Sequence, residues 1–345
     1  MVEGQHCDGS IMGSLWVFGM TPFPPSETYW PDPILSPIAA RDWFVNRIAL
    51  REPASLIRIG DAEMGMLGYA AEAPWSQTAL FLQGQFGRSE FEPATLARLA
   101  QRLRAAVRAA SMVGLPRPSR QLRDPYFGFV ADLYKNYGLR APGQIFTDCA
   151  IQRFWQMLLA FRPLISGLPF VGVVTSRNLS AQIAQTFGID KVTLYPVPSQ
   201  RRALGAYEDI GPHFPDRFEQ LCGELTVPYR GAVFIVGAGI LGKIYAHLIH
   251  QRGGIAIDVG SVLDGWANVP SRAFLQRTPD LFGLDVYKET AHLSAVEIVE
   301  RYEHLVRSEY FANPPTEEEF AFYLRRNGNL TPAPLRVREA RPPDY

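Results

Sequence analysis

The sequence predicts an α/β protein with a mainly parallel sheet, helices on both faces and a helical C-terminal appendage. Three observations predict it. Short β-branched runs alternate with longer helical patterns through most of the chain, which is how βα units assemble a parallel sheet. A strand-like run at 232–236 is followed at once by a glycine turn and a helical pattern. The composition is that of an ordinary globular protein: 345 residues, 47% hydrophobic, with 34 Lys plus Arg balanced by 34 Asp plus Glu.

Residues 1–35 hold Pro22, Pro24, Pro25, Pro31 and Pro33. Proline lacks the amide donor and fixes φ, so this stretch reads as an irregular extension. Ser36-Pro37 is an N-cap followed by a first-turn proline, and Ile38, Val45 and Ile48 give a helix to about Leu50. The spacing then predicts a strand over 55–59, a helix over 94–110, a strand over 112–115 and helices over 126–137 and 151–161. A strand over 170–175, a helix over 179–187, a strand over 192–196 and a helix over 216–225 come next. The alternation closes with a strand over 232–236, a helix over 241–251 and a strand over 255–259. After Gly260 it dissolves. Residues 294–310 and 316–326 read as amphipathic helices, and 331–345 is a proline-rich tail. The expected organisation is an extension (1–35), one α/β domain (36–276) and a helical appendage with its tail (277–345).

The zero formal net charge speaks against a nucleic-acid partner, whose binding surface usually appears as a basic excess. Cys7, Cys149 and Cys222 are odd in number and unpaired in motif, so neither a disulfide framework nor a cysteine zinc site is expected and a reducing cytoplasm fits. No apolar run is long enough to span a bilayer. Membrane contact, if any, would be peripheral, at the inner face.

In a parallel sheet, ligands gather beyond the carboxyl ends of the strands, so chemistry is sought in the loops that follow them. Arg58-Ile59-Gly60-Asp61-Ala62-Glu63 stands at such an end. Two carboxylates one residue apart can hold a hard divalent cation; equally, they can cap and open a helix. The run Gly237-Ala238-Gly239-Ile240-Leu241-Gly242-Lys243 is Gly-x-Gly-x-x-Gly between strand and helix. Its bare amides and helix N-terminus favour a pyrophosphate, while glycines there also serve close helix–strand packing. Asp258 ends the next strand and could bind a ribose hydroxyl. Ile244 replaces the hydroxyl residue that an ATP-binding P-loop requires. Ser176 and Arg177 close another strand and could hold phosphate or sugar, or cap the next helix. His247 and His250 lack a third ligand at metal spacing.

The order of these pieces resembles the bacterial glycosyltransferases of the GT-D fold. The residues that carry the resemblance are Ser55 through Glu63, the glutamine-bearing Phe81-Leu82-Gln83-Gly84-Gln85, Val113-Gly114-Leu115-Pro116, the late glycine turn and Ala256-Ile257-Asp258-Val259-Gly260. It spans about residues 40–270, with Ala62 where the family usually has glycine and Ser261-Val262-Leu263-Asp264 where it often has histidine and aspartate. The resemblance implies a Rossmann-like, metal-dependent transferase that moves a sugar from a nucleotide-sugar donor, favoured as a UDP-sugar, to a bacterial glycan or glycoconjugate in polysaccharide biosynthesis. It places manganese or magnesium on Asp61 and Glu63, and catalytic roles on Asp61, Glu63 and Asp258. The donor would be bound by Arg58, Gly60, Gln85, Ser176, Arg177, Gly237, Gly239, Gly242 and Lys243. A homo-oligomer is compatible with the appendage. The alternative is an NAD(P)- or S-adenosylmethionine-dependent Rossmann-like enzyme using the glycine turn.

Overall fold

The computed structural model describes residues 28–69, 78–199, 211–307 and 316–324, with the side chains of Asp61, Phe81 and a few others outside the described set. Seven strands, β1 (Ala54–Arg58), β2 (Met112–Leu115), β3 (Ile145–Asp148), β4 (Val171–Thr175), β5 (Val192–Pro196), β6 (Val233–Gly237) and β7 (Ile255–Asp258), form one sheet. All are parallel, in the order β3-β2-β1-β7-β6-β4-β5.

Alternation along the strands explains why both faces are covered. Leu56, Val173, Ile235 and Ile257 point into one hydrophobic layer, and their neighbours Ile57, Val174, Val236 and Ala256 into the other. Gly172 pairs with Phe234 across β4 and β6, and a Cβ at Gly172 would lie 2.1 Å from that ring. A glycine mid-strand is what admits the aromatic side chain beside it.

The first helix, α1 (Pro37–Leu50), begins as its sequence predicts, with Ser36 Oγ accepting from the Ala39 amide at 3.2 Å. α1, the helices Ile151–Met157 and Phe161–Ile165, and Ser180–Phe187 cover one face. Helices Pro93–Ala109, Pro125–Asn136, Phe218–Glu224 and Gly239–Gln251 cover the other. The single helix expected over 151–161 is two. Leu159 turns left-handed at φ 52°, and Pro163 would set its ring against the carbonyl of residue 159 if the helix ran through.

Several further elements were not predicted from periodicity, helix Thr78–Phe86 among them, and Asp61–Leu67 was anticipated only as a helix that Asp61 and Glu63 could open. Strand β3 is a four-residue edge strand, and helices Asp61–Leu67 and Pro118–Arg123 are under two turns, too short for a periodicity to emerge. Beyond residue 276 the chain adds Pro279–Phe282, Asp285–Glu289, Ala295–Arg307 and Glu317–Leu324. Tyr302, Val306, Phe322 and Tyr323 enter the same layer as α1, so these helices share its core. The last is tied down by polar contacts. Tyr323 Oη donates to Asp148 Oδ2 at 2.5 Å, and Glu319 accepts from the Ser119 amide at 2.8 Å and its hydroxyl at 2.6 Å. Of the N-terminal extension only 28–35 is described; it runs beside β3, where the Leu35 amide donates to the Phe146 carbonyl at 2.7 Å. The 331–345 tail lies outside the described residues. No helix among the described residues is long and apolar enough to cross a membrane.

Candidate functional site

The chain leaves β1 for β2 and β3 on one side and later fills the other side with β4 to β7, so the switch point of the sheet lies between β1 and β7. Crevices at such points, beyond the strand carboxyl ends, are where open α/β sheets bind ligands. A cleft of about 260 Å³ sits there.

Its floor is a chain of four buried charges. Arg58 ends β1 and Asp258 ends β7; Arg58 Nη2 meets Asp258 Oδ1 at 3.0 Å, and Arg58 Nε donates to the Asp258 carbonyl at 2.9 Å. Arg58 Nη1 donates to the Cys149 carbonyl at 3.0 Å, linking the floor to the turn after β3. On helix Gly239–Gln251, Lys243 places Nζ 2.9 Å from Asp258 Oδ2 and 3.0 Å from Glu63 Oε1. Glu63 in turn accepts from the Gly60 amide through Oε2 at 2.8 Å, closing the first turn of helix Asp61–Leu67. Two cations and two carboxylates thus balance, with Asp258, Lys243 and Glu63 almost fully buried and Arg58 13% exposed. Burial by itself would lower the Lys243 pKa, but Asp258 and Glu63 hold it above the ordinary lysine value. Burial would raise Asp258, yet Arg58 and Lys243 keep it below the ordinary carboxylate value.

Above this floor the cleft is cationic. Among its other described lining residues, Arg120, Arg153, Arg177 and Arg272 stand with one carboxylate, Asp264. Arg177 Nε is 2.7 Å from Asp264 Oδ1, and Ser271 Oγ donates to the other oxygen at 2.5 Å, which fixes the guanidinium. The Arg120 and Arg153 guanidinium groups stack 4.0 Å over Phe127 and Phe274. Gly239, also in the lining, has φ +57° and opens the 13-residue helix Gly239–Gln251, whose first amides have no acceptor within the helix.

Of the sequence-predicted residues, Arg58, Gly60, Glu63, Ser176, Arg177, Gly237, Gly239 and Lys243 line this cleft. Asp258 lies beneath it with both carboxylate oxygens engaged. Gly242 sits against β6, where a Cβ would lie 3.2 Å from Val236 Cγ1, a helix–strand packing contact. Gly237 allows the turn after β7 to approach, since its Cβ would lie 2.7 Å from the Gly260 carbonyl. Gln85 is buried in helix Thr78–Phe86, away from the lining. The Asp61 backbone opens helix Asp61–Leu67, and its side chain lies outside the described residues.

Arg120, Phe127, Gln152, Arg153, His213 and Arg272 also line the cleft without any motif to flag them, because they come from separate segments that only the fold unites. His213 is buried against Tyr245 (Nε2 to Oη 3.1 Å); burial, aided by Arg217, lowers its pKa to about 3, so it is neutral near pH 7. Burial, with Asp148 adding to it, raises the Cys149 thiol to about 12, which leaves no thiolate nucleophile.

Of the two residues expected to hold a divalent cation, only Glu63 has its side chain among the described residues. Both Glu63 oxygens are taken, one by an ammonium, and among the described residues no three His, Cys, Asp or Glu side chains converge.

No family model matches the chain and no curated protein matches it. Two solved structures of domain of unknown function 1792 are similar to it. One, described as having "a distinct glycosyltransferase fold", is 14% identical with a TM-score of 0.43 over 68% of this chain and 80% of its own. The other, a selenomethionine-substituted form, is 14% identical with a TM-score of 0.44 over the same shares. Likeness at that level decides nothing about chemistry, which the cleft itself must carry.

Proposed function

We propose that the chain is a glycosyltransferase that takes a nucleotide-sugar donor, a UDP-sugar in the first instance, and passes the sugar to a glycan or glycoconjugate acceptor. The observation that carries this reading is the switch-point cleft, where above a charge-balanced floor four arginines stand with one carboxylate among the described lining residues. In such a transfer the nucleoside diphosphate departs, and fixed positive groups aimed at the developing phosphate charge lower the barrier. Arg177, held by Asp264, would bind the diphosphate beside the amides at Gly239. Arg58, Asp258, Lys243 and Glu63 would keep the ends of β1 and β7 and the glycine-turn helix in register beneath it. Manganese or magnesium on Asp61 and Glu63 would have to displace the Lys243 ammonium from Glu63, so metal dependence becomes a direct measurement.

The dinucleotide alternative needs a free carboxylate for the ribose at the strand after the glycine turn. Asp258, which holds that position, is already engaged by Arg58 and Lys243. Calorimetry with UDP, UDP-glucose and NADH, each with manganese and with EDTA, tests the reading. UDP and UDP-glucose should bind and NADH should not, and Arg177→Met should weaken UDP about tenfold or more. NADH binding with no response to UDP would overturn it.

A further inference from the structure

The arginines above the balanced floor fall into two groups. Arg177 is tied to Asp264, beside Ser176 and the Gly239 turn, past the ends of β4 and β6. Arg120 stands on helix Pro118–Arg123 after β2, and Arg153 on helix Ile151–Met157 after β3. Arg272 lies between, next to Ser271, which bonds Asp264, and two residues before Phe274, over which the Arg153 guanidinium lies. Arg120, Arg153 and Arg272 all line the cleft and are half-buried, so a ligand there meets their charge. The Arg120 guanidinium lies 4.0 Å over Phe127, a ring beside Gly60 at the end of β1, and its charge reaches the Cys149 thiol after β3. It is therefore held on the β1–β3 side. In the sheet, β1 is two strand intervals from β6 and three from β4, about 10 Å and 14 Å at the usual spacing. A diphosphate seated at Gly239 and Arg177 thus leaves that side for another part of the substrates. Like charges gathered in a half-buried cleft repel one another and cost desolvation, and an anion offsets both. A ring braces a guanidinium without consuming its N–H donors, the planar fork that matches a carboxylate or phosphate.

We infer that Arg120 and Arg153, with Arg272 beside them, bind a second anionic group, a carboxylate or phosphate carried by the transferred sugar or by the acceptor, apart from the donor's diphosphate. The inference rests on the nucleotide-sugar reading above and narrows its substrate class: one of the two substrates is acidic beyond the diphosphate. The diphosphate keeps to the β4–β6 side, and the sugar lies between the two anions.

Calorimetry at fixed ionic strength tests this and separates the two sources. If the transferred sugar carries the anion, wild-type protein binds UDP-glucuronate about tenfold or more tighter than UDP-glucose, the worth of a charge-assisted hydrogen bond. If the acceptor carries it, the two donors bind alike, and protein saturated with UDP binds glucuronate or glucose 6-phosphate but not glucose. These wild-type arms do not depend on how any variant folds. Arg120→Met and Arg153→Met, which keep a stem over each ring, should cut the anion-dependent step about tenfold or more and lower UDP affinity by less than Arg177→Met does. UDP-binding wild-type protein that prefers no acidic ligand in either arm overturns the second anion site and leaves the nucleotide-sugar reading standing. A preference that survives both substitutions overturns the assignment to these arginines. A folded Arg120→Met that loses as much UDP affinity as Arg177→Met overturns it too, since the diphosphate would then occupy that side. Wild-type protein that binds neither UDP nor UDP-glucose overturns the nucleotide-sugar reading, and this inference with it.

Discussion

Replacing Lys243 with methionine keeps the stem that packs in helix Gly239–Gln251 and deletes the one ammonium that two buried carboxylates share. The contacts are 3.0 Å to Glu63 and 2.9 Å to Asp258, and the three side chains are 5%, 7% and 3% exposed. At an effective dielectric of about 20, a unit pair at that distance is worth about 5 kcal/mol before the desolvation of the amine is set against it. Asp258 keeps Arg58, whereas Glu63 keeps only the Gly60 amide, so the loss falls on Glu63. Removing one partner of a buried pair costs about 3–5 kcal/mol, and Lys243→Met should lose that much at pH 7. In Lys243→Met/Glu63→Gln the stranded charge is gone, and most of the loss should return.

The pH dependence has a definite sign. The depressed Asp258 pKa contributes stability above the ordinary carboxylate value that is lost as pH falls through the folded value. The raised Lys243 pKa contributes stability below the ordinary lysine value that is lost as pH rises through the folded one. Both are intact from roughly pH 5 to 9. Urea unfolding followed by circular dichroism, across this double-mutant cycle at pH 4.5 and 7, measures it. A single variant within about 1 kcal/mol of wild type at pH 7, with additive effects in the double variant, would refute the reasoning.

Two further outcomes follow from buried polar groups. Because His213 titrates near 3 when folded and at its ordinary value when unfolded, the unfolded chain binds the extra proton first. About 2 kcal/mol of stability should therefore be lost between pH 7 and pH 5, and His213→Gln should flatten that slope in urea titrations; an unchanged slope would place the acid sensitivity elsewhere. Tyr323→Phe removes the hydroxyl that donates to Asp148 at 2.5 Å and accepts from Arg117 at 3.3 Å. It should cost about 1–3 kcal/mol and speed amide exchange in helix Glu317–Leu324, whereas exchange at the wild-type rate would mean that this contact does not hold the helix down.

Local chemistry determined most of the elements. The Ser36 cap, the apolar run at β2, the β-branched runs at β4 and β5 and the strand–glycine–helix joint at Val233–Gly237 and Gly239–Gln251 are local features, where periodicity and turn preference act. The same local view suggested that residues after strand ends would form a site, and eight of those expected line the cleft. It could not show which strand ends meet. Arg58 and Asp258 are 200 positions apart and touch because β1 and β7 pair in the sheet, an order set by long-range packing. Nor could it show that Lys243 lies with its charge already balanced by Glu63 and Asp258. A side chain's charge is written in the sequence; its partners are chosen by the sheet order and the helices packed against it, and those partners decide whether the charge is free to act on a ligand.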